Sequence, residues 1–101
     1  MNWILIRNYR NSGMLASASI DLYWCGGDAF AVRVSGCYAS GDHDESYVEV
    51  AFYSGADAAI DAFHSECVWH SAVGSYNPEP IRWKPFERRF QNGPVYYRRA
   101  L

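Results

Sequence analysis

Apolar and polar side chains alternate along residues 14–24, with Met14, Ala16, Ala18, Ile20, Leu22 and Trp24 on one parity and Leu15, Ser17, Ser19, Asp21 and Tyr23 on the other. Successive side chains of a strand point to opposite faces, so this period of two predicts a half-buried β-strand. Cys25-Gly26-Gly27-Asp28 supplies turn-forming residues, and beyond it Phe30, Val32, Val34, Gly36 and Tyr38 alternate with Ala31, Arg33, Ser35 and Cys37. The two segments read as a hairpin. The polar stretch Gly41-Asp42-His43-Asp44-Glu45 reads as a loop before a third strand. In that strand Val48, Val50 and Phe52 are expected to face one way and Tyr47, Glu49, Ala51 and Tyr53 the other. Residues 3–9 are expected to add a fourth strand.

The period changes at Ser54. Ser54 stands three residues before Asp57, as an N-cap with an acidic partner would, and Ala56, Ala59, Ile60, Phe63 and Cys67 follow at helical spacing. One amphipathic helix is predicted, ending near Gly74. A helix with one apolar stripe and strands with one apolar face combine as an α+β layer: an antiparallel sheet of three or four strands with the helix packed on one face. The other face is left open. The alternation assigns Tyr23, Arg33, Tyr47, Glu49 and Tyr53 to it, aromatic bodies with polar tips that suit either an interaction surface or an ordinary solvated face.

From Ser75 the texture differs, because all four prolines (Pro78, Pro80, Pro85 and Pro94) fall beyond it and interrupt any long helix. The charge changes as well. Residues 1–74 carry nine acids against three bases (Arg7, Arg10, Arg33), a net of −6, and residues 75–101 carry six bases against two acids, a net of +4, together the overall −2. The 101 residues are read as a single domain, with an acidic body over 1–74 and a Pro-rich, basic, aromatic tail over 75–101. Ile81, Trp83, Phe86, Phe90, Val95, Tyr96 and Tyr97 are too many large apolar groups to leave in water, so the tail is expected to dock on the body or on a partner. Arg82, Trp83, Lys84, Arg88, Arg89, Arg98 and Arg99 also form a candidate nucleic-acid-binding set, in which arginine and lysine meet phosphates and aromatic rings stack on unpaired bases. The acidic body opposes that reading, since it repels a phosphate backbone and attracts the tail's own arginines.

At 50% hydrophobic, 17% aromatic and 20% charged residues, the composition predicts a folded, soluble chain rather than a disordered or membrane-spanning one. No membrane partner and no secretory leader are expected, and the cytoplasm is the expected compartment. Three cysteines, Cys25, Cys37 and Cys67, are too few and odd in number for a disulfide framework. His64, Cys67 and His70 are spaced by three, yet positions 64 and 70 stand about 120° apart around a helix, so no metal site is expected of the triple. No cofactor is predicted, and no motif for a nucleophile, a phosphate loop or a zinc-dependent helix occurs, so the chain is read as non-enzymatic.

In outline, the segment Ser19-Ile20-Asp21-Leu22-Tyr23, the Gly26-Gly27 turn, Ala31-Val32-Arg33-Val34, and residues 48–53 leading through Ser54 into Ala59, Ile60 and Phe63 resemble small phage-encoded anti-CRISPR proteins. The resemblance spans about residues 14–70 and carries no diagnostic motif. It implies a protein partner, a crRNA-guided type I surveillance complex in a bacterial host cell, whose target DNA binding would be blocked. Tyr23, Asp42, Asp44, Glu45, Tyr47, Glu49 and Tyr53 are then the candidate partner-binding residues, the acids matching a lysine-lined DNA channel. The alternative is a small nucleic-acid-binding protein or regulator acting through the tail. A homodimer in which one tail grips the other body is compatible with either.

Overall fold

The computed structural model describes residues 3–12, 16–71, 76–78 and 80–81, apart from the side chains of Ser12, Ser40 and His43. Four strands run in chain order, β1 (Ile4–Ser12), β2 (Ala16–Gly26), β3 (Ala29–Ser40) and β4 (His43–Ser54), followed by one helix, α1 (Ala56–Trp69). The sheet is an antiparallel meander in the order β1-β2-β3-β4. This is the α+β layer that the alternation and the change of period predict, with all four strands formed.

The core lies between the sheet and α1. Ala18, Ile20 and Leu22 of β2, with Phe30, Val32 and Val34 of β3, meet Ala59, Phe63 and Cys67 of the helix. Those three helical positions recur every four residues and so fall on one stripe. Phe63 is 1% exposed, and truncating a buried phenylalanine to alanine costs about 3–5 kcal/mol. Tyr76 and Ile81 also pack against this cluster. Tyr76 and Ile81 therefore belong to the packing of the body although the sequence groups them with the tail.

The β2–β3 and β3–β4 turns are each two residues long. Gly27 and Asp28 link β2 to β3, and Gly41 and Asp42 link β3 to β4. Gly27 has φ 56° and Gly41 φ 62°, left-handed values that two-residue hairpins need and that glycine adopts without steric cost. The polar stretch 41–45 is thus not a five-residue loop. Asp44 and Glu45 already pair with Ala39 and Tyr38 inside the sheet.

That short turn sets the parity of β4. Directly opposed residues of antiparallel strands share a face, and Phe30, Val32 and Val34 oppose Tyr53, Ala51 and Glu49. Tyr47, Glu49 and Tyr53 consequently lie on the helix side of the sheet, the reverse of the expected placement. Val48, Val50 and Phe52 lie on the open face.

The helix ends also depart from expectation. Gly55, at φ 95°, is the N-cap, and no side chain caps the first turn. Ser54 instead donates from Oγ to Asp28 Oδ2 at 3.0 Å, while the Gly55 amide donates to the Asp28 carbonyl at 2.7 Å. Asp28 thus ties the β2–β3 turn to the strand–helix junction. At the other end α1 stops at Trp69 rather than near Gly74, with His70 as C-cap. Asn11 of β1 donates from Nδ2 to the His70 carbonyl at 2.6 Å, and Ser71 donates from Oγ to the Val68 carbonyl at 3.0 Å. Both satisfy terminal carbonyls that lack partners within the helix.

Gly36 answers a local packing demand. A Cβ there would collide with the Ser17 carbonyl and come within 2.8 Å of the Tyr47 hydroxyl. Tyr47 opposes Gly36 directly, so its ring lies over the glycine and reaches His70 in a stacked contact at 6.4 Å.

Candidate interaction surface

The open face is built in rows that cross the sheet. Asn8, Asp21, Arg33 and Val50 form one row, and Leu5, Tyr23, Ala31 and Phe52 the next. Trp3 lies across the second row, its ring 5.4 Å from Tyr23 and 5.4 Å from Phe52. Ala31, between those two in the ladder, is 0% exposed, and Tyr23 is 2% exposed. The indole therefore roofs the middle of the row and makes a small second core on the side opposite α1.

Asp21 organises the neighbouring row. It is 8% exposed and accepts from Asn8 Nδ2 at 2.6 Å and from the Tyr23 hydroxyl at 3.3 Å. Arg33 pairs with the same carboxylate at 3.5 Å. A buried carboxylate is stable only when paired and hydrogen-bonded, and this one is both. Burial, and next the neighbouring Asp21 charge, push the Tyr23 phenol up from its ordinary value, which keeps it a donor. Asn8 also donates to Ser19 Oγ at 3.0 Å. The row is locked by side chains from three strands.

On β4 that roof stops. Phe52 is 65% exposed, Val48 59% and Val50 41%. The three stand on one face of one strand, with Phe52 held in an edge-on contact by Trp3. Singly exposed apolar residues are ordinary, but an aligned row beside a fixed aromatic pair has the composition of an interface centre.

Further along the same face, Arg10, Ser17, Ser19 and Ser35 border a shallow depression of about 240 Å³. It is walled by hydroxyls and one guanidinium, with no acid or histidine to perform acid–base chemistry.

A second cluster sits on the helix side. The Tyr76 hydroxyl lies 2.6 Å from His64 Nδ1, and its ring packs edge-on against Tyr9 at 4.9 Å. Burial pushes the Cys67 thiol up to about 11 and the Tyr76 phenol up to about 12. Burial, with Arg7 second, lowers His64. All three groups are therefore held neutral, and a thiol held protonated is a poor nucleophile. Their geometry is that of a satisfied polar seam fastening Tyr76 to α1. His70 stands apart from His64, 3.4 Å from Glu66 through Nε2, and no metal-binding group of His, Cys, Asp or Glu occurs among the described residues.

The residues expected at the partner surface divide three ways. Tyr23 is on the open face but beneath Trp3, with almost no surface to offer. Tyr47 and Tyr53 are half-buried against the helix-side core, and Glu45 and Glu49 share that side. Asp42 and Asp44 are exposed at the β3–β4 end of the sheet. Arg82, Trp83, Lys84, Arg88, Arg89, Arg98 and Arg99 lie outside the described residues. The alternation did not single out Trp3, Val48, Val50 and Phe52 for this face. For the three β4 residues the signal was the Gly41-Asp42 pair, which as a two-residue turn carries the parity of β3 into β4; for Trp3 the spacing held none.

No protein-family model matches the chain, and no curated protein or solved structure is significantly similar to it. Among the described residues no helix is long and apolar enough to cross a membrane.

Proposed function

We propose that the chain is a non-enzymatic protein-binding inhibitor, an anti-CRISPR that binds a type I crRNA-guided surveillance complex and blocks its target DNA binding, with the open sheet face as the docking surface. The observation that carries the binding reading is the uncovered row Val48, Val50 and Phe52 beside Trp3. Phe52 is the natural anchor, an aromatic side chain held in position before a partner arrives, which lowers the ordering cost of association. Asp42 and Asp44 flank the row at the turn end and supply charge opposite to that of a DNA channel. The outline resemblance of sheet and helix, rather than the surface geometry, supports the choice of target.

The test is DNA binding by purified type I complexes with and without excess protein, alongside co-migration on a sizing column. Loss of DNA binding with co-migration is the expected result. Phe52→Asp should abolish both while costing only about 0.5–1.5 kcal/mol of stability, the size of its edge-on contact with Trp3. Charge reversal at Asp44, Glu45 and Glu49 together should weaken inhibition less, because the register puts Glu45 and Glu49 on the other side of the sheet. No effect on any complex, with DNA or RNA bound by the protein alone in a steeply salt-dependent way, would replace this reading with action through the arginines of residues 82–101.

A further inference from the structure

The two edges of the sheet are built differently. β1 carries a bulge between Leu5 and Arg7 and includes Arg7 and Arg10. Bulges and cationic side chains are the usual devices that keep a second strand from adding to an edge. β4 has no bulge and no cationic side chain, and Glu49, its one charge between Ser46 and Ser54, is exposed rather than buried under the helix. It pairs with β3 through twelve consecutive partners without a shift and contains no proline, lysine or arginine. Among the described residues no strand pairs with its outer side. A long, regular edge presents a row of N–H and C=O groups directed outward, ready to pair with another chain.

We propose that β4 pairs antiparallel with β4 of a second copy, about a two-fold axis at Val50, joining the two sheets into one. A two-fold axis normal to the sheet keeps like faces together, so opposed residues must share parity and the axis must pass through a residue. With the axis at Val50, that residue opposes itself, Val48 opposes Phe52 of the second copy, and Tyr47 opposes Tyr53. Glu49 is the one charged residue between Ser46 and Ser54, and it opposes Ala51. No like charges meet.

Neighbouring registers serve less well. An axis at Glu49 sets the two Glu49 carboxylates against each other, and an axis at Val48 sets Phe52 against Asp44. An axis at Ala51 leaves Val48 facing Ser54 and shortens the ladder. Only the Val50 register opposes each of the three exposed apolar residues with another of them, so that Val48, Val50 and Phe52 of both copies make one apolar row across the joint.

The experiment uses the full chain with Cys37, an exposed thiol, replaced by Ser. Directly opposed residues lie about 4.5–5.5 Å apart between Cα atoms, within reach of a disulfide. V50C should therefore cross-link to itself under mild oxidation. V48C alone should not, whereas V48C mixed with F52C should. Sedimentation of the unsubstituted protein should give twice the 11.5 kDa chain mass. Val50→Lys, which sets two ammonium groups against each other at the axis, should give the single mass with unchanged thermal unfolding of the monomer. A single mass at every concentration would overturn the proposal, leaving the edge to residues 82–101 of the same chain or to another protein. A dimer in which V48C self-links and V50C does not would overturn it equally, since that requires another register or interface.

Discussion

Replacing Asp21 with alanine tests whether the open face is a built surface or a solvated one. Asp21 is 8% exposed, and its carboxylate receives a short bond from Asn8 Nδ2 at 2.6 Å, a longer one from the Tyr23 hydroxyl at 3.3 Å, and the Arg33 guanidinium at 3.5 Å. A hydrogen bond to a charged group contributes about 1.5–3 kcal/mol. The Arg33 side chain is 31% exposed, so its ion pair adds only about 0–1 kcal/mol. The Tyr23 contact is long and adds little beyond leaving a buried hydroxyl unsatisfied. A loss of about 2–3 kcal/mol follows, most of it the charge-assisted bond from Asn8 itself, since the Asn8 amide keeps its bond to Ser19 Oγ. For a domain of this size that corresponds to roughly 10–20 °C in Tm. Urea unfolding read by tryptophan fluorescence measures it as a lower midpoint with unchanged slope. Asp21→Asn should lose less, because an amide oxygen still accepts from Asn8. If Asp21→Ala costs under about 0.5 kcal/mol, the value typical of surface substitutions, the network does not hold the face and the argument for a rigid docking surface fails.

Gly36→Ala should destabilise by about 1–3 kcal/mol through overpacking, because the new methyl meets the Ser17 carbonyl, which is backbone and cannot yield cheaply; combining it with Tyr47→Ala should recover only the part due to the tyrosine, as denaturant midpoints of the two variants would show. Burial lowers His64 below its ordinary 6.5, so the fold binds that proton less readily than the unfolded chain does. Its contribution is fully present above about pH 6.5 and is lost as pH falls toward the folded value. The unfolding midpoint should accordingly drop between pH 7.5 and 5 by more in the parent protein than in His64→Asn, and equal pH profiles would refute the buried, neutral imidazole.

The alternation of β2 and β3 and the four-residue recurrence of Ala59, Phe63 and Cys67 are legible without coordinates, because each reports burial against one continuous core. The faces of β4 are not legible in the same way. Periodicity shows that Val48, Val50 and Phe52 share a face but not which face, and assigning the apolar parity to the core is the natural choice. It fails because β4 is an outer strand: its helix-side positions Glu49 and Ala51 remain exposed, so the core places little demand on them. Turn length was the stronger signal, and counting Asp44 and Glu45 as loop concealed it. Ser54 misleads for a related reason. Its hydroxyl suits an N-cap, but Gly55 reaches the positive φ at the strand–helix corner and Asp28 offers Ser54 a partner across the sheet. The role of Tyr23 could not be read at all from spacing, since its burial depends on Trp3, twenty positions away in the chain.

The roof over Tyr23 and Ala31 also narrows where a partner can approach. β2 is buried on both faces, by α1 on one side and by Trp3 with the Asp21 network on the other, so the large apolar surface left on the open face is concentrated on β4. Docking on the open face and pairing along the edge therefore draw on the same three residues. In the paired form Val48, Val50 and Phe52 of each copy keep their open-face exposure above the sheet but lose it along the edge. A partner that lies flat on the joined row binds the dimer more tightly than the monomer, while one that wraps the edge of β4 must displace the second copy. Linkage then makes the partner's effect on self-association diagnostic: added target should raise the dimer fraction in the first case and lower it in the second. An unchanged fraction at saturating target would place the target's contact somewhere other than β4.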